Sequence, residues 1–415
     1  MKKVLVAGAA LMLAGAMVSA ASAGTPGEAP VETTGISLSG DARVTYVGWS
    51  DYDRQDSETE YSDYFESRVS VNFDAVATGG TAVHARLYFD DEGFNDDVPW
   101  NGNGDAQLGV STDYAYIVTP LSDTLSVKAG RLPLNFSAFY AGEIRATRLQ
   151  VIYHSGNFKL IPWIGVASED NTDLDNLDDN DFMQYGIIPV LKLNDAWSVK
   201  GYFRYNDDQR EWDTDPSVDD SGATVAATAH DDRSGFDGTI QVAGKAGMVD
   251  LTAQVAYVEA DFQGTEDDGI GCFVQAAFGT PAVTPILIAG MTQDGFQAFR
   301  DFGFVMVGGN ESTTVVNVGN AYGDLAFGAL VLQHGISDQL SVQGNLLYAS
   351  YDYDTEEANM LDSAVEVSGV MTYALSESTS FEYKLGYLAP SYTDGSSDVL
   401  EDAYIGQVLR MNVAF

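Results

Sequence analysis

The stretch AYIGQVLRMNVAF (403–415) decides how the rest of the chain is read. Taken backwards, every second residue gives Phe415, Val413, Met411, Leu409, Gln407 and Ile405. The residues between them are Ala414, Asn412, Arg410, Val408, Gly406 and Tyr404. A period of two is the signature of a β-strand. One face is mostly apolar, and the other carries Arg410 and Asn412, which do not belong in hydrocarbon. A strand of this kind, ending on an aromatic, suits the seam of a barrel in which the last strand pairs with the first. An ordinary amphipathic strand would alternate in the same way, so the remaining chain has to discriminate.

The front of the chain reads as a secretory signal. Lys2 and Lys3 precede an apolar core over 4–18, and Ala21-Ser22-Ala23 is a small-residue cleavage site. The expected organisation is therefore a signal peptide over 1–23 and one β-barrel domain over 24–415. No later apolar segment has the length of a spanning helix. The nearest, 281–291, is short and interrupted by Pro285. Cys272 is the only cysteine, so no internal disulfide can form and no cysteine-based metal cluster is available. Asp and Glu total 61 against 20 Lys and Arg, a net charge of −41 that argues against nucleic acid as a partner. Hydrophobic residues at 45% argue against disorder.

Alternation recurs along the chain. In GISLSGDARVTYVGW (35–49), Leu38, Ala42, Val44 and Tyr46 oppose Ser39, Asp41, Arg43 and Thr45. In YFESRVSVNFDAVA (64–77), Val69, Val71 and Phe73 oppose Arg68, Ser70 and Asn72. Thr78-Gly79-Gly80 is a hairpin signal, and TAVHARLYF (81–89) alternates again. Seven further short turns are read near 121–123, 155–157, 193–195, 246–248, 279–281, 336–338 and 376–378. Eight short turns imply eighteen strands. Over-counting one hairpin between Gly271 and Asp324 would leave sixteen. Acidic blocks fall only in the long connections, around 51–63, 90–97, 169–181, 207–232, 352–362 and 394–402. Aromatics such as Trp49, Tyr64, Phe89, Trp197, Tyr257, Tyr348 and Tyr387 recur at strand ends. Short turns on one rim, long loops on the other and aromatic girdles are the transmembrane barrel pattern. A soluble β-sandwich would place Val, Ile and Leu on its protected face and use shorter strands. The expected fold is all-β: a transmembrane antiparallel barrel of 16–18 strands, with short periplasmic turns and long acidic extracellular loops.

The polar face of the alternation supplies the candidate site. Arg43, Arg68, Arg86 and Arg410 share it on strands that adjoin once the barrel closes, and Lys128 in LSVKAG (125–130) has the same parity. A basic sector on one wall suits a constriction that orders water and sorts ions. Scattered, individually solvated lumen charges are the alternative. The connection LPLNFSAFYAGEIRATR (132–148) is unlike the other long loops. It carries Phe136, Phe139 and Tyr140, one acid, Glu143, and two bases, Arg145 and Arg148. A loop this apolar is expected to fold into the barrel.

DYAYIVTPLSDTLSVKAGR (113–131) resembles the segment leading into the inward-folded third loop of Gram-negative trimeric porins. GRLPLNFSAFYAGEIR and the turn Phe278-Gly279-Thr280-Pro281 are similar to the homotrimeric porins of sulfate-reducing bacteria. The terminal strand, with Phe415, Val413, Met411 and Leu409, also resembles the assembly signal of outer-membrane barrels. The resemblance implies a non-enzymatic homotrimer in the bacterial outer membrane, passing small hydrophilic solutes by passive diffusion. It implies contact with lipid and lipopolysaccharide and with the barrel-assembly machinery. It places Glu143 in the constriction loop, opposite the wall bases Arg43, Arg68, Arg86, Lys128 and Arg410; Phe136, Tyr140, Arg145 and Arg148 join the loop side of the candidate site by their place in 132–148. Porin constriction loops usually carry several acids, so a single acid leaves room for anion preference under an acidic vestibule.

A sugar-type channel with an aromatic track (Tyr88, Trp163, Tyr202) and a structural or adhesive barrel with a blocked lumen are the alternative readings. No cofactor is expected. The carboxylates of DNTDLDNLDDNDF (170–182) are dense enough for loosely held Ca²⁺ or Mg²⁺ but lack the spacing of a dedicated site. The histidines are His84, His154, His230 and His334, with no G-x-S-x-G elbow to support a hydrolase. Intact mass of the exported protein should give Gly24 as its first residue, and retention of 1–23 would remove the export reading.

Overall fold

The structure, a computed structural model, describes residues 35–50, 61–91, 108–142, 144–169, 181–208, 234–263, 265, 267–280, 282–299, 302–309, 313–319, 323–353, 361–393 and 403–415. The signal segment, Glu143 and nearly all of the acidic blocks, including the carboxylates at 170–180, lie outside the described residues.

Eighteen strands form one sheet. They are β1 (Gly35–Ser50), β2 (Tyr61–Val76), β3 (Ala82–Asp91), β4 (Leu108–Ser122), β5 (Leu125–Leu134), β6 (Ile144–Ser155), β7 (Phe158–Glu169), β8 (Asp181–Lys192) and β9 (Trp197–Asp208). They continue as β10 (Gly235–Ala246), β11 (Val249–Val258), β12 (Gly269–Phe278), β13 (Thr284–Gln293), β14 (Gly323–Gly335), β15 (Leu340–Tyr353), β16 (Leu361–Ala374), β17 (Thr379–Tyr392) and β18 (Tyr404–Ala414). One four-residue helix, α1 (Ala260–Gln263), follows β11. Each strand is antiparallel to its neighbours in sequence, and β1 also pairs with β18, so the sheet is closed. The hairpin expected around 279–281 is real and joins β12 to β13. The count is therefore eighteen, not sixteen.

The seam is as the terminal pattern requires. Asp41 to Ser50 run opposite Ala414 back to Ile405. Beyond the strand, the Gly40 N–H donates to the Phe415 carbonyl at 2.8 Å, and the Phe415 N–H donates back to Gly40 at 3.0 Å. The Phe415 ring lies against Gly40, where a Cβ would stand 2.6 Å from it. Closure leaves no strand edge inside the membrane, where unpaired backbone groups have no water to bond.

All strands are 10 to 16 residues long, enough for a tilted strand to cross hydrocarbon. Their outward residues form an apolar belt. Leu38, Val44, Phe65, Phe73, Ile240, Val274, Leu346, Val367, Leu385 and Leu409 are all exposed. Large apolar side chains exposed in this number on one continuous surface mean a lipid-facing barrel rather than a soluble one. The buried face is the inner one. Burial on β15 alternates through Asn345, Leu347, Ala349 and Tyr351, with Leu346 and Tyr348 outside.

Leu346→Arg, at the middle of β15 on the outer face, should destabilise the folded barrel by about 2–4 kcal/mol. Urea unfolding in lipid vesicles measures this, and no change would mean that this face does not meet hydrocarbon.

Candidate constriction site

The inner surface of the barrel is divided. The wall made by β1 to β6, β17 and β18 is charged. Arg43 and Arg68 are direct cross-strand partners on β1 and β2. Like charges in that position repel. Arg43 is compensated by Glu66, 3.8 Å away, and the Arg68 guanidinium lies 4.7 Å over the Tyr88 ring. Arg86 donates to Asp41 at 2.8 Å and to Ser70 at 2.9 Å. Arg410 donates to Glu382 at 3.1 Å, and Lys384 sits 3.3 Å from the same carboxylate. Among the described residues, Lys128 meets the Tyr116 ring at 5.5 Å rather than an acid.

Asp113 is the hub of this wall. The β3–β4 register slips between Arg86 and Leu87, leaving Asp113 without a partner in the ladder. A bulge of this kind re-aims a side chain. Here it turns Asp113 inward, where Arg145 Nε donates to it at 2.5 Å and Tyr88 at 3.0 Å, with Arg86 at 3.9 Å. The alternation alone did not reveal Asp113, because the bulge breaks the parity by which inward residues are counted.

Two connections fill the other side. β5 runs to Leu134 and β6 starts at Ile144, so the expected inward loop is shorter than 132–148, and its described part is 135–142. Arg145 and Arg148 consequently belong to the β6 wall and not to the loop, because the strand ladder continues through them. Phe136, Ala138, Phe139 and Ala141 are buried, as expected of a loop folded into the barrel. Its tip closes on itself through Phe136 N–H to Ala141 carbonyl, 2.9 Å, and Ser137 bonds to Tyr140 in both directions.

The loop is pinned far from where it leaves the wall. The Tyr140 hydroxyl donates to Asp237 on β10, and Lys200 on β9 donates to the Phe136 carbonyl. Asp237 is also held by Arg204 at 2.7 and 2.8 Å and by Asn206 at 2.9 Å. Burial, with the charge of Asp237, pushes the Tyr140 hydroxyl well above the usual phenol range, so it remains a donor.

The second connection, between β13 and β14, lies in the region where the strand count was open. It is a second inward element. Phe296, Phe302, Val305, Met306, Val307 and Val318 are buried. They pack on an apolar inner wall of Phe273, Ile288, Phe327, Leu347 and Leu388. Glu366 on β16, also buried, anchors the loop by accepting from the backbone N–H of Val305, Met306 and Val307 at 3.0, 3.1 and 2.8 Å. Small residues on the wall admit it closely: a Cβ at Gly386 would stand 2.5 Å from Met306.

The two loops meet. Phe299 N–H donates to the Phe139 carbonyl at 2.9 Å, and the Phe139 ring lies 5.0, 5.5 and 4.9 Å from those of Phe273, Phe296 and Phe302. Gly142 abuts Phe299, where a Cβ would stand 2.5 Å from the ring. The signal for the second loop was present in DGFQAFRDFGFVMVGGN (294–310), which is as apolar as 132–148. The test that caught the first loop, that such a sequence does not stand in water, applies equally to the second.

Exposure locates the remaining space. On the charged wall the side chains keep contact with solvent: Asp41 is 42% and Glu66 30% exposed, while Asp237 under the loop is at 0%. The space therefore lies beside β1 to β5, bounded opposite by the loops. No family model and no curated protein matches the chain. Among solved structures, it is similar to OccK11 (OpdR) of Pseudomonas aeruginosa, with a TM-score of 0.58 and 10% identity over 92% of this chain and 96% of that chain. It is also similar to a BenF-like porin from Pseudomonas fluorescens Pf-5, with a TM-score of 0.56 and 9% identity over 92% and 98%. The fold is that of outer-membrane porins. At such identity the likeness concerns the fold alone.

Hydrogen bonds to a charged group contribute about 1.5–3 kcal/mol each. Glu366→Gln should therefore speed amide exchange at Val305, Met306 and Val307 by about tenfold or more relative to the β16 ladder. Unchanged protection would show that apolar packing alone holds the loop.

Proposed function

We propose that this chain is a channel of the bacterial outer membrane through which small hydrophilic solutes and ions diffuse passively. The observation that carries the reading is the solvent-exposed charged wall facing two pinned apolar loops inside a closed barrel. Barrels of this strand number are too wide for wall side chains alone to fill. The acids Asp41, Glu66, Asp113 and Glu382 alternate with Arg43, Arg86, Arg145 and Arg410 along this wall. Mixed charge across a narrow passage orients water and polar solutes transversely and excludes apolar ones. Arg68, whose contact is the Tyr88 ring, is the group that tilts the passage toward anions. The expected loop acid, Glu143, lies outside the described residues, and the acids that compensate the wall bases come from the wall itself.

The sugar-channel reading loses support because Trp163 and Tyr202 lie buried beneath the loop 135–142 rather than along open space. Homotrimeric assembly, as in the porins of sulfate-reducing bacteria that 130–145 resembles, is part of the proposal. So are lipopolysaccharide contact through divalent ions and recognition of the terminal strand by the assembly machinery.

In planar bilayers the purified protein should give steady ohmic steps. Arg68→Glu should shift the reversal potential in a salt gradient toward cations. Absence of any conductance would leave a structural barrel with a blocked lumen, and an unshifted potential would place Arg68 away from the permeation path.

A further inference from the structure

Arg148 is the buried cation that the rest of the structure leaves unexplained. Its side chain points inward from β6, and the residue is 2% exposed. Among the described residues, none of its three guanidinium nitrogens has a hydrogen-bond partner. The other cations buried under the loop are satisfied: Arg204 is held bidentately by Asp237, and Lys200 donates to the Phe136 carbonyl. Arg148 has no such arrangement. Among the described residues, no carboxylate bonds to it. An unpaired charge in a buried site is strongly unfavourable.

The surroundings are built around this side chain. Both ladder partners of Arg148 are glycines, Gly130 on β5 and Gly165 on β7. A Cβ at Gly165 would stand 2.6 Å from the Arg148 side chain. One face of the guanidinium stacks on Trp163, with its carbon 4.6 Å from the ring centroid. Trp163 in turn lies flat on Gly186 and stacks on Tyr202 at 6.3 Å. A guanidinium stacked by its face directs its N–H groups outward in its own plane. Two more polar groups of the same cluster also lack partners, Trp163 Nε1 and the Tyr202 hydroxyl. Trp163 is 5% and Tyr202 0% exposed. Every orphaned group named here can donate, and the guanidinium and the indole can only donate. A negatively charged acceptor is the kind of group that these donors lack.

We infer that a small inorganic anion, of halide or oxyanion size, binds at Arg148 between the β6–β9 wall and the loop 135–142. It is a resident ion enclosed behind the loop, separate from the passage along the charged wall. It joins the wall to the loop that covers it. Its size is limited because the cluster is closed by Phe136, Ala141 and Ile188. The inference does not depend on permeation and would stand for a blocked barrel too.

Bromide is the probe. The full chain, folded in detergent and crystallised with sodium bromide as the salt, should show an anomalous bromine peak touching the Arg148 guanidinium. Bromide should raise the melting midpoint of the wild type but not that of Arg148→Gln. Trp163→Phe keeps the stack and deletes the indole donor, and should need severalfold more bromide for the same stabilisation. That variant, with the wild-type crystal, decides the matter if Arg148→Gln does not fold. Water alone around Arg148 at high bromide, or equal bromide stabilisation of wild type and Arg148→Gln, would overturn the inference.

Discussion

The structure depends on the pairing of β1 with β18. In hydrocarbon an unbonded backbone N–H or carbonyl costs several kcal/mol, so a sheet in that medium has to close. Asp41 to Ser50 against Ala414 to Ile405, extended by the mutual bonds of Gly40 and Phe415, satisfies that condition. The outer belt follows from it. Once closed, the sheet has one face that meets lipid everywhere, and alternation sorts Leu, Val, Ile and aromatic side chains onto that face.

Closure at this strand number also creates a problem in the middle. A cylinder of eighteen strands encloses more space than inward side chains can fill. The chain resolves this differently on its two sides. From β12 to β16 the inner wall carries a large apolar patch, and the loop after β13 is laid on it like a core. From β1 to β6 the wall stays charged and wet. The apolar loops need polar anchors because their own backbone groups are buried with them. Glu366 supplies three acceptor contacts for one loop. Asp237 and Lys200 fasten the other. Each anchor sits on a strand distant in sequence from the loop it holds, so the interior is tied across the barrel and not merely occupied.

The two classes of buried charge play different parts. Asp237 lies among Arg204, Asn206 and Tyr140 and is fully bonded, which is how a buried carboxylate is tolerated. Asp113 is equally enclosed, but it faces cations that still touch water, and it owes that position to a bulge. Charge on the wet wall is therefore arranged as alternating pairs, each partly screened by water. Arg68 and Arg148 depart from this arrangement, the first over Tyr88 and the second over Trp163.

Sequence by itself determined the barrel, a count of sixteen to eighteen strands that the 279–281 hairpin then fixed at eighteen, its eight short turns, its seam, and the inward parity of Arg43, Arg68, Arg86, Lys128 and Arg410. These were legible because a strand's period of two is a local property, and because lipid outside forces the alternation to be regular. It also betrayed the loop around Phe136 and Phe139 by its apolarity, although its limits were drawn too wide and Arg145 and Arg148 were assigned to it. The same apolarity in 294–310 had no neighbouring motif to draw attention to it. What only the tertiary structure decided was partnership. That Asp113 turns inward needs the register of β4 against β3. That Glu366 holds amides some sixty residues away, and that Arg148 has no hydrogen-bond partner among the described residues, needs strands and loops brought together across the lumen. Alternation says which way a side chain points. It does not say what stands opposite, because that is set by closure and by loops whose anchors are remote in sequence.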